Sequence, residues 1–228
     1  MSRAQRIVAL DGPAGVGKST TARLLAARLG LPYLNTGAMY RAVALKVLEL
    51  GLSPLDREAV EALAAGLDLG VELAPGGALA ILLEGRRVEG LLGTPEVSDA
   101  TSKIAVYPAV RRRLVALQQQ AGAQLGGVVE GRDIGTKVFP GAPFKFYLDA
   151  RPEVRARRRF EELERAGKAV SQDRVAAELA ERDQRDSSRE DSPLEKSADA
   201  RLVDTSDKTP EQVVEEMLAI IESEDFVA

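Results

Sequence analysis

Ile7-Val8-Ala9-Leu10-Asp11-Gly12-Pro13-Ala14-Gly15-Val16-Gly17-Lys18-Ser19 reads as a short apolar strand, a glycine-rich turn and the opening of a helix. Leu24, Leu25 and Leu29 then fall on one side of that helix, and Gly30 supplies its stop. Residues 12–19 satisfy G-x-x-x-x-G-K-[ST] in full, with a strand before and a helix after, the setting this pattern needs to bind phosphate. The glycines let backbone N–H groups converge on an anion, and the helix N-terminus adds the positive end of its dipole. Lys18 is expected to face solvent in the empty loop and to reach the β and γ phosphates of a nucleotide, with the Ser19 hydroxyl ligating Mg²⁺.

Moving outward, short apolar runs recur at Tyr33-Leu34, Gly127-Val128-Val129, Phe144-Lys145-Phe146-Tyr147-Leu148 and Arg201-Leu202-Val203, with helical segments between them. Strands alternating with helices predict an α/β fold: a parallel sheet with helices on both faces. Helices are expected to start at Ser53-Pro54, with Asp56 at the third helical position, at Thr94-Pro95, and at Thr209-Pro210, where Gln212 completes a capping box. The last of these runs over about 210–222. Between 67 and 90 the pattern changes: Val71-Glu72-Leu73, the turn Pro75-Gly76-Gly77, the apolar run 78–83, Gly85 and Arg86-Arg87-Val88 predict a small antiparallel meander, read as an inserted lobe. From 152 to about 191 the chain is helical and dense in charge, broken by Gly167 and restarted near Ser171, and its few apolar residues predict a mobile pair of helices.

A chain of 228 residues, 45% hydrophobic and 29% charged, suits one large domain or one core with small insertions. His, Cys and Trp are absent. Their absence excludes Ser-His-Asp and Cys-His machinery, His or Cys zinc sites, disulfides, and haem or iron–sulfur ligation. The chemistry left belongs to Lys, Arg, carboxylates, hydroxyls, backbone amides or an oxygen-bound metal. A net charge of −4 argues against a surface that attracts nucleic acid throughout. No apolar run approaches the roughly 18 residues of a membrane span, and no signal-peptide block is read at the N-terminus, so a cytoplasmic protein is expected. Guanine-reading GTPases use Asn-Lys-x-Asp, and the sole Asn, Asn35, precedes Thr36; the His-Arg-Asp loop of protein kinases needs a His.

Asn35-Thr36-Gly37-Ala38-Met39-Tyr40-Arg41 follows the second strand and opens a helix, so a hydroxyl, free amides and a guanidinium fork could face one phosphate. Taken alone, Thr36 reads equally well as a cap and Arg41 as a solvated surface residue. Glu130 ends the third strand, where open α/β sheets place ligands, and an acidic residue there commonly organises Mg²⁺ through water. The adjacent Arg132 and Asp133 cannot both face one way, and a plain loop ion pair stays open at this point.

Taken together, Asp11 with its phosphate loop, Thr36-Gly37-x-x-x-Arg41, Glu130-Gly131-Arg132-Asp133-x-Gly135-Thr136 with Val138-Phe139-Pro140, and Glu181-Arg182-Asp183-x-x-Asp186-x-x-Arg189 resemble bacterial cytidylate kinases over nearly the whole chain. The resemblance implies a five-stranded nucleoside monophosphate kinase core over 1–36, 104–150 and 190–228, an NMP-binding lobe over 37–103 and a helical lid over 151–189. It implies γ-phosphoryl transfer from ATP to CMP and dCMP with Mg²⁺, by a monomer without nucleic-acid or membrane partners. ATP would lie on Gly12, Pro13, Ala14, Gly15, Val16, Gly17, Lys18, Ser19 and Thr20. Cytosine would be held by Ser102, Arg111 and Asp133, the ribose by Asp186 and Arg182, and the acceptor phosphate by Arg41, Arg132 and Arg189 with Thr36 beside them. Lys18, Arg132 and Arg189 would carry the catalytic charge. Thr36 stands where Ser is frequent and Glu130 where Asp is frequent; neither change loses a functional group. Which of Arg155, Arg157, Arg158 and Arg159 enters the site stays open, and the rival readings are another small-molecule kinase on this core or a nucleotide-dependent nucleic-acid binder.

Overall fold

The computed structural model describes residues 6–165, 167–189 and 191–223. Strands β1 (Ile7–Asp11), β2 (Tyr33–Asn35), β6 (Gly127–Glu130), β7 (Phe144–Asp149) and β8 (Arg201–Asp204) form a five-stranded sheet in the order β2-β6-β1-β7-β8. All of its pairings are parallel, with Val8 opposite both Val128 and Phe144. Every residue of β1 is buried, because the strand is covered on both faces and an alternating pattern would leave polar groups in the core.

Successive side chains of a strand point to opposite faces. Ile7 and Ala9 accordingly join one core with α2 (Thr36–Glu49), α3 (Arg57–Gly66), α4 (Pro95–Ile104) and α5 (Pro108–Leu125). Val8 and Leu10 join the other, with Phe146, Leu148 and apolar residues of α1 (Lys18–Leu29) and α8 (Pro210–Ser223). The antiparallel meander of β3 (Leu69–Leu73), β4 (Leu79–Leu83) and β5 (Arg86–Arg87) forms a second, three-stranded sheet whose Ile81 and Leu83 pack into the first core. Lys46 with Glu84 and Arg86 with Glu49 fasten the meander to α2.

α6 (Pro152–Arg165) and α7 (Gln172–Ser187) pack together around a small apolar cluster, in which Ala156, Val175, Leu179 and Ala14 of the glycine-rich turn are buried and Phe160, Leu163 and Val170 pack partly buried against them. Ser171 caps α7 and the Thr209–Gln212 box caps α8. Thr94 caps α4, with Pro95 in its first turn. One expected start is displaced. α3 begins at Arg57 with Asp56 as its cap, accepting from the Ala59 N–H at 3.1 Å, whereas Ser53 accepts from Leu55 N–H and Pro54 belongs to the turn before. Ser and Asp cap comparably; the turn closed by Asp56 N–H on the Ser53 carbonyl at 3.0 Å delays the helix to Arg57, and the Asp56 carboxylate then adds negative charge at its N-terminus. Among the described residues no helix is long and apolar enough to cross a membrane.

Candidate active site

The candidate side chains gather at the C-terminal ends of β1, β2 and β6, the edge at which open parallel sheets bind ligands. After β1 the backbone turns sharply: a Cβ on Gly12 would lie 2.1 Å from the Leu148 carbonyl oxygen, and Gly17, in the left-handed region at φ 90, caps α1. Lys18 departs from expectation. Its side chain is buried and Nζ donates to the Pro13 carbonyl at 2.5 Å, because with no anion in the loop the nearest acceptor is the loop's own backbone. Burial lowers its pKa, and Arg132 lowers it further, with Arg182 acting in the same sense. The phosphate-loop lysine therefore shares one electrostatic field with arginines from two other segments. Ser19 is half-buried and Thr20 is exposed.

Asn35, the last residue of β2, caps α2 by accepting from Ala38 N–H at 3.0 Å. This frees Thr36 from the capping role, and its hydroxyl donates to the Glu130 carbonyl at 2.7 Å, joining β2 to β6. Arg41, one turn into α2, lies near Glu130, Tyr33, Arg132 and Arg159, and burial lowers its pKa. Glu130 is buried and accepts from the Tyr33 phenol, to which the Ser19 hydroxyl is also hydrogen-bonded. Serine and carboxylate oxygens thus meet at one phenol, an all-oxygen donor set that suits a hard cation.

Arg132 and Asp133 do face opposite ways. Arg132 Nε donates to Asp186 Oδ2 at 3.0 Å; Arg189 bonds the other oxygen of that carboxylate, and Arg182 lies 4.0 Å away. Burial alone would raise the pKa of Asp186, but Arg132, Arg189 and Arg182 outweigh it and hold the carboxyl below its ordinary value. The pKa of Arg182 falls to about 10 through burial and the charge of Arg132. One carboxylate facing three guanidinium groups leaves an excess of partly buried positive charge, the electrostatic form of a polyanion site.

On the other side, Arg111 Nη2 donates to Asp133 Oδ2 at 2.5 Å, and the two side chains are 3% and 8% exposed. Burial raises the pKa of Asp133 against the pull of Arg111 and Arg189. The Arg111 guanidinium lies over the Tyr40 ring at 5.8 Å. Ser102 is buried on α4, and its Oγ, like Arg111 Nε, has no hydrogen-bond partner among the described residues. Buried polar atoms left without partners are costly unless a ligand or water completes them.

The cytidylate kinase family model matches residues 8–223. A cytidylate kinase of Solibacter usitatus is 48% identical over 95% of this chain and 92% of its own length, and one of Corynebacterium glutamicum 47% identical over 95% and 94%. The chain belongs to the cytidylate kinase family. An uncharacterized protein from Eubacterium ventriosum, 14% identical, superposes with a TM-score of 0.51 over 96% of this chain and 99% of its own, and so shares the fold.

Within this member of the cytidylate kinase family, several residues near the expected site carry no sequence signal of their own. Tyr33 reads from sequence only as a strand residue, yet its phenol joins Ser19 and Glu130. Of the four arginines left open on α6, Arg159 lies beside Arg41 and Arg182. Arg155 instead bonds Asp183 and the carbonyls of Ala150 and Ala14, Arg158 bonds Thr205, and Arg157 is exposed beside Glu161. Ser192, in the left-handed region at φ 56, puts its hydroxyl between Asp191 and Asp133. A mixed-charge helix signals none of these choices, since which arginine turns inward depends on the helix's rotation against its neighbours.

Proposed function

We propose that the protein transfers the γ-phosphoryl group of ATP to CMP and dCMP, giving ADP with CDP or dCDP. The observation that carries this reading is the buried Asp186 held by Arg132, Arg182 and Arg189 within electrostatic reach of Lys18. A phosphate-loop lysine and a surplus of guanidinium charge facing one gap suit two polyanions brought end to end.

ATP lies on the loop from Gly12 to Ser19 with Thr20. The acceptor phosphate is held by Arg41, Arg132 and Arg189 beside Thr36, the ribose by Arg182 and Asp186, and the base by Ser102, Arg111 and Asp133. An acceptor phosphate oxygen already carries charge near neutrality, its second pKa being about 6, so no protein base is required. This agrees with a chain that contains no His. Lys18, Arg132 and Arg189 neutralise charge on the group in transit. The oxygens of Ser19 and Glu130 would hold Mg²⁺, which when bound supplies further neutralisation at the phosphates. Asp133 accepts from the exocyclic amine of cytosine and would meet an acceptor in the O4 of uracil.

Residues 37–103 form the acceptor lobe, and 151–189 a lid whose closure excludes water from the γ-phosphoryl group. The protein acts as a cytoplasmic monomer without nucleic-acid or membrane partners. A coupled ADP-release assay across CMP, dCMP, UMP, AMP and dTMP tests the reading. CMP and dCMP are expected to be the best acceptors; a preference for AMP or dTMP, or turnover with none of the five, overturns it in favour of another small-molecule kinase.

A further inference from the structure

Asp11 precedes the phosphate loop and has no part in the reaction so far described. It is buried, and its two oxygens are both engaged: Oδ1 accepts from Ile134 N–H at 2.8 Å and Oδ2 from Gly135 N–H at 2.7 Å. Those amides directly follow Arg132 and Asp133 in the chain. A third tie comes from the preceding residue, whose carbonyl, that of Leu10, accepts from Gly131 N–H at 2.9 Å. The segment 131–135 is therefore pinned along its length to the end of β1, one residue before the donor loop begins.

The fit is close. A Cβ on Gly135 would lie 3.4 Å from Asp11 Oδ2 and 3.2 Å from Lys145 Cδ, so the glycine lets the backbone N–H reach the carboxylate. On the other side of the segment, Arg132 and Asp133 are turned to different partners, Asp186 and Arg111. A small rotation of this backbone moves both side chains at once.

We propose that Asp11 is the positioning residue that sets the acceptor-binding pair Arg132 and Asp133 relative to the phosphate loop. The inference rests on the CMP kinase reading above. A carboxylate suits the task because two backbone donors converge on it, and hydrogen bonds to a charged acceptor are about twice as strong as neutral ones. Asn offers one acceptor and turns an N–H₂ toward the second backbone N–H.

The test compares wild type with Asp11→Asn in steady-state kinetics at neutral pH, varying CMP and ATP separately, with UMP as second acceptor. Thermal unfolding is followed in parallel. Wild-type turnover of CMP is the first readout; its absence removes the reaction itself and not this inference alone. Given that turnover, the KM for CMP is expected to rise roughly tenfold or more, from loss of a hydrogen bond to a charged group, while the KM for ATP stays within about twofold. The CMP to UMP ratio of kcat/KM is expected to narrow, since Asp133 moves with the segment. Asp11→Ala, which places no second donor in the buried site, is read in the same way if the Asn variant does not fold. Equal rises in both KM values, unchanged KM values, or failure of both variants to fold each overturn the proposal and assign Asp11 to the fold.

Discussion

Asp133→Asn keeps the size of a buried side chain and removes its charge. The partner, Arg111, lies 2.5 Å away, and both side chains are almost wholly out of solvent. Deleting one member of such a pair costs about 3–5 kcal/mol when the other is left buried and uncompensated. An Asn oxygen still accepts from Arg111, so the expected loss of stability is smaller, about 1–3 kcal/mol, that of weakening a hydrogen bond to a charged group. The effect on base choice has a different origin. A carboxylate facing the cytosine amine and rejecting uracil O4 discriminates by about 1–3 kcal/mol, roughly ten- to hundredfold, and an amide free to turn its N–H₂ toward O4 gives most of that away. The assay is kcat/KM for CMP and UMP at saturating ATP and Mg²⁺, in both proteins, below the unfolding temperature of the variant. CMP efficiency should fall and the CMP to UMP ratio narrow by roughly tenfold. If both efficiencies fall by one factor and the ratio holds, Asp133 only orders the Arg132 segment, and the base is read elsewhere.

Lys18→Ala should fold and lose roughly a thousandfold or more in kcat: the empty protein gives up the bond to the Pro13 carbonyl and the attraction to Glu130 and Asp11, whereas the reaction is deprived of a cation that faces migrating charge. Near-normal turnover would take the loop out of the mechanism. Hydrogen exchange over residues 152–189 should slow when ATP analogue and CMP bind together, since the apolar contact holding α6 and α7 is small; equal protection with and without nucleotides means a fixed helical pair. Burial raises the Asp11 carboxyl from its ordinary 3.8 to about 6, against two backbone hydrogen bonds that lower it. Between roughly pH 4 and 6 the folded protein then holds a proton that the unfolded chain has released, so this group's contribution to stability is fully present below pH 4 and is lost as pH rises to 6, by up to about 3 kcal/mol. Wild-type minus Asp11→Asn unfolding free energies should decline over that range, and a difference that stays flat or grows contradicts the assignment.

The core strands were legible because each is a short apolar run next to a turn signal, and the phosphate loop because its glycines and lysine occur in a fixed spacing after one of them. The meander was legible from its Pro-Gly-Gly turn and from Gly85. What the sequence could not yield were choices made by tertiary packing. Lys18 and its carbonyl partner lie within one loop, but nothing local says the side chain folds inward. Ser53-Pro54 and Asp56 are all competent helix starters, and only the turn geometry selects Asp56. Arg155, Arg157, Arg158 and Arg159 look alike in sequence, and the rotation of α6 against α7 and the phosphate loop separates them.

α7 joins the two halves of the candidate site. Asp183 and Asp186 stand one helical turn apart, on one face of the helix. Asp183 takes Arg155, which also donates to the Ala14 carbonyl of the phosphate loop, whereas Asp186 takes Arg132 and Arg189 of the acceptor cluster. Asp186 is therefore occupied by cations that the proposed reaction needs for phosphates, and Asp183 by one that touches the phosphate loop. When a polyanion draws Arg132 or Arg189 toward itself, Asp186 loses part of its compensation while remaining buried, and the free energy of that carboxylate rises. A second anion near Arg155 does the same to Asp183. Because the two aspartates share one helix, either event would bias the position of α7 that the other requires, and under the proposed reaction donor and acceptor binding would be coupled without direct contact between the nucleotides. Buried charge that would be a poor way to stabilise a fold would, in the proposed lid, make one helix answer to both ligands.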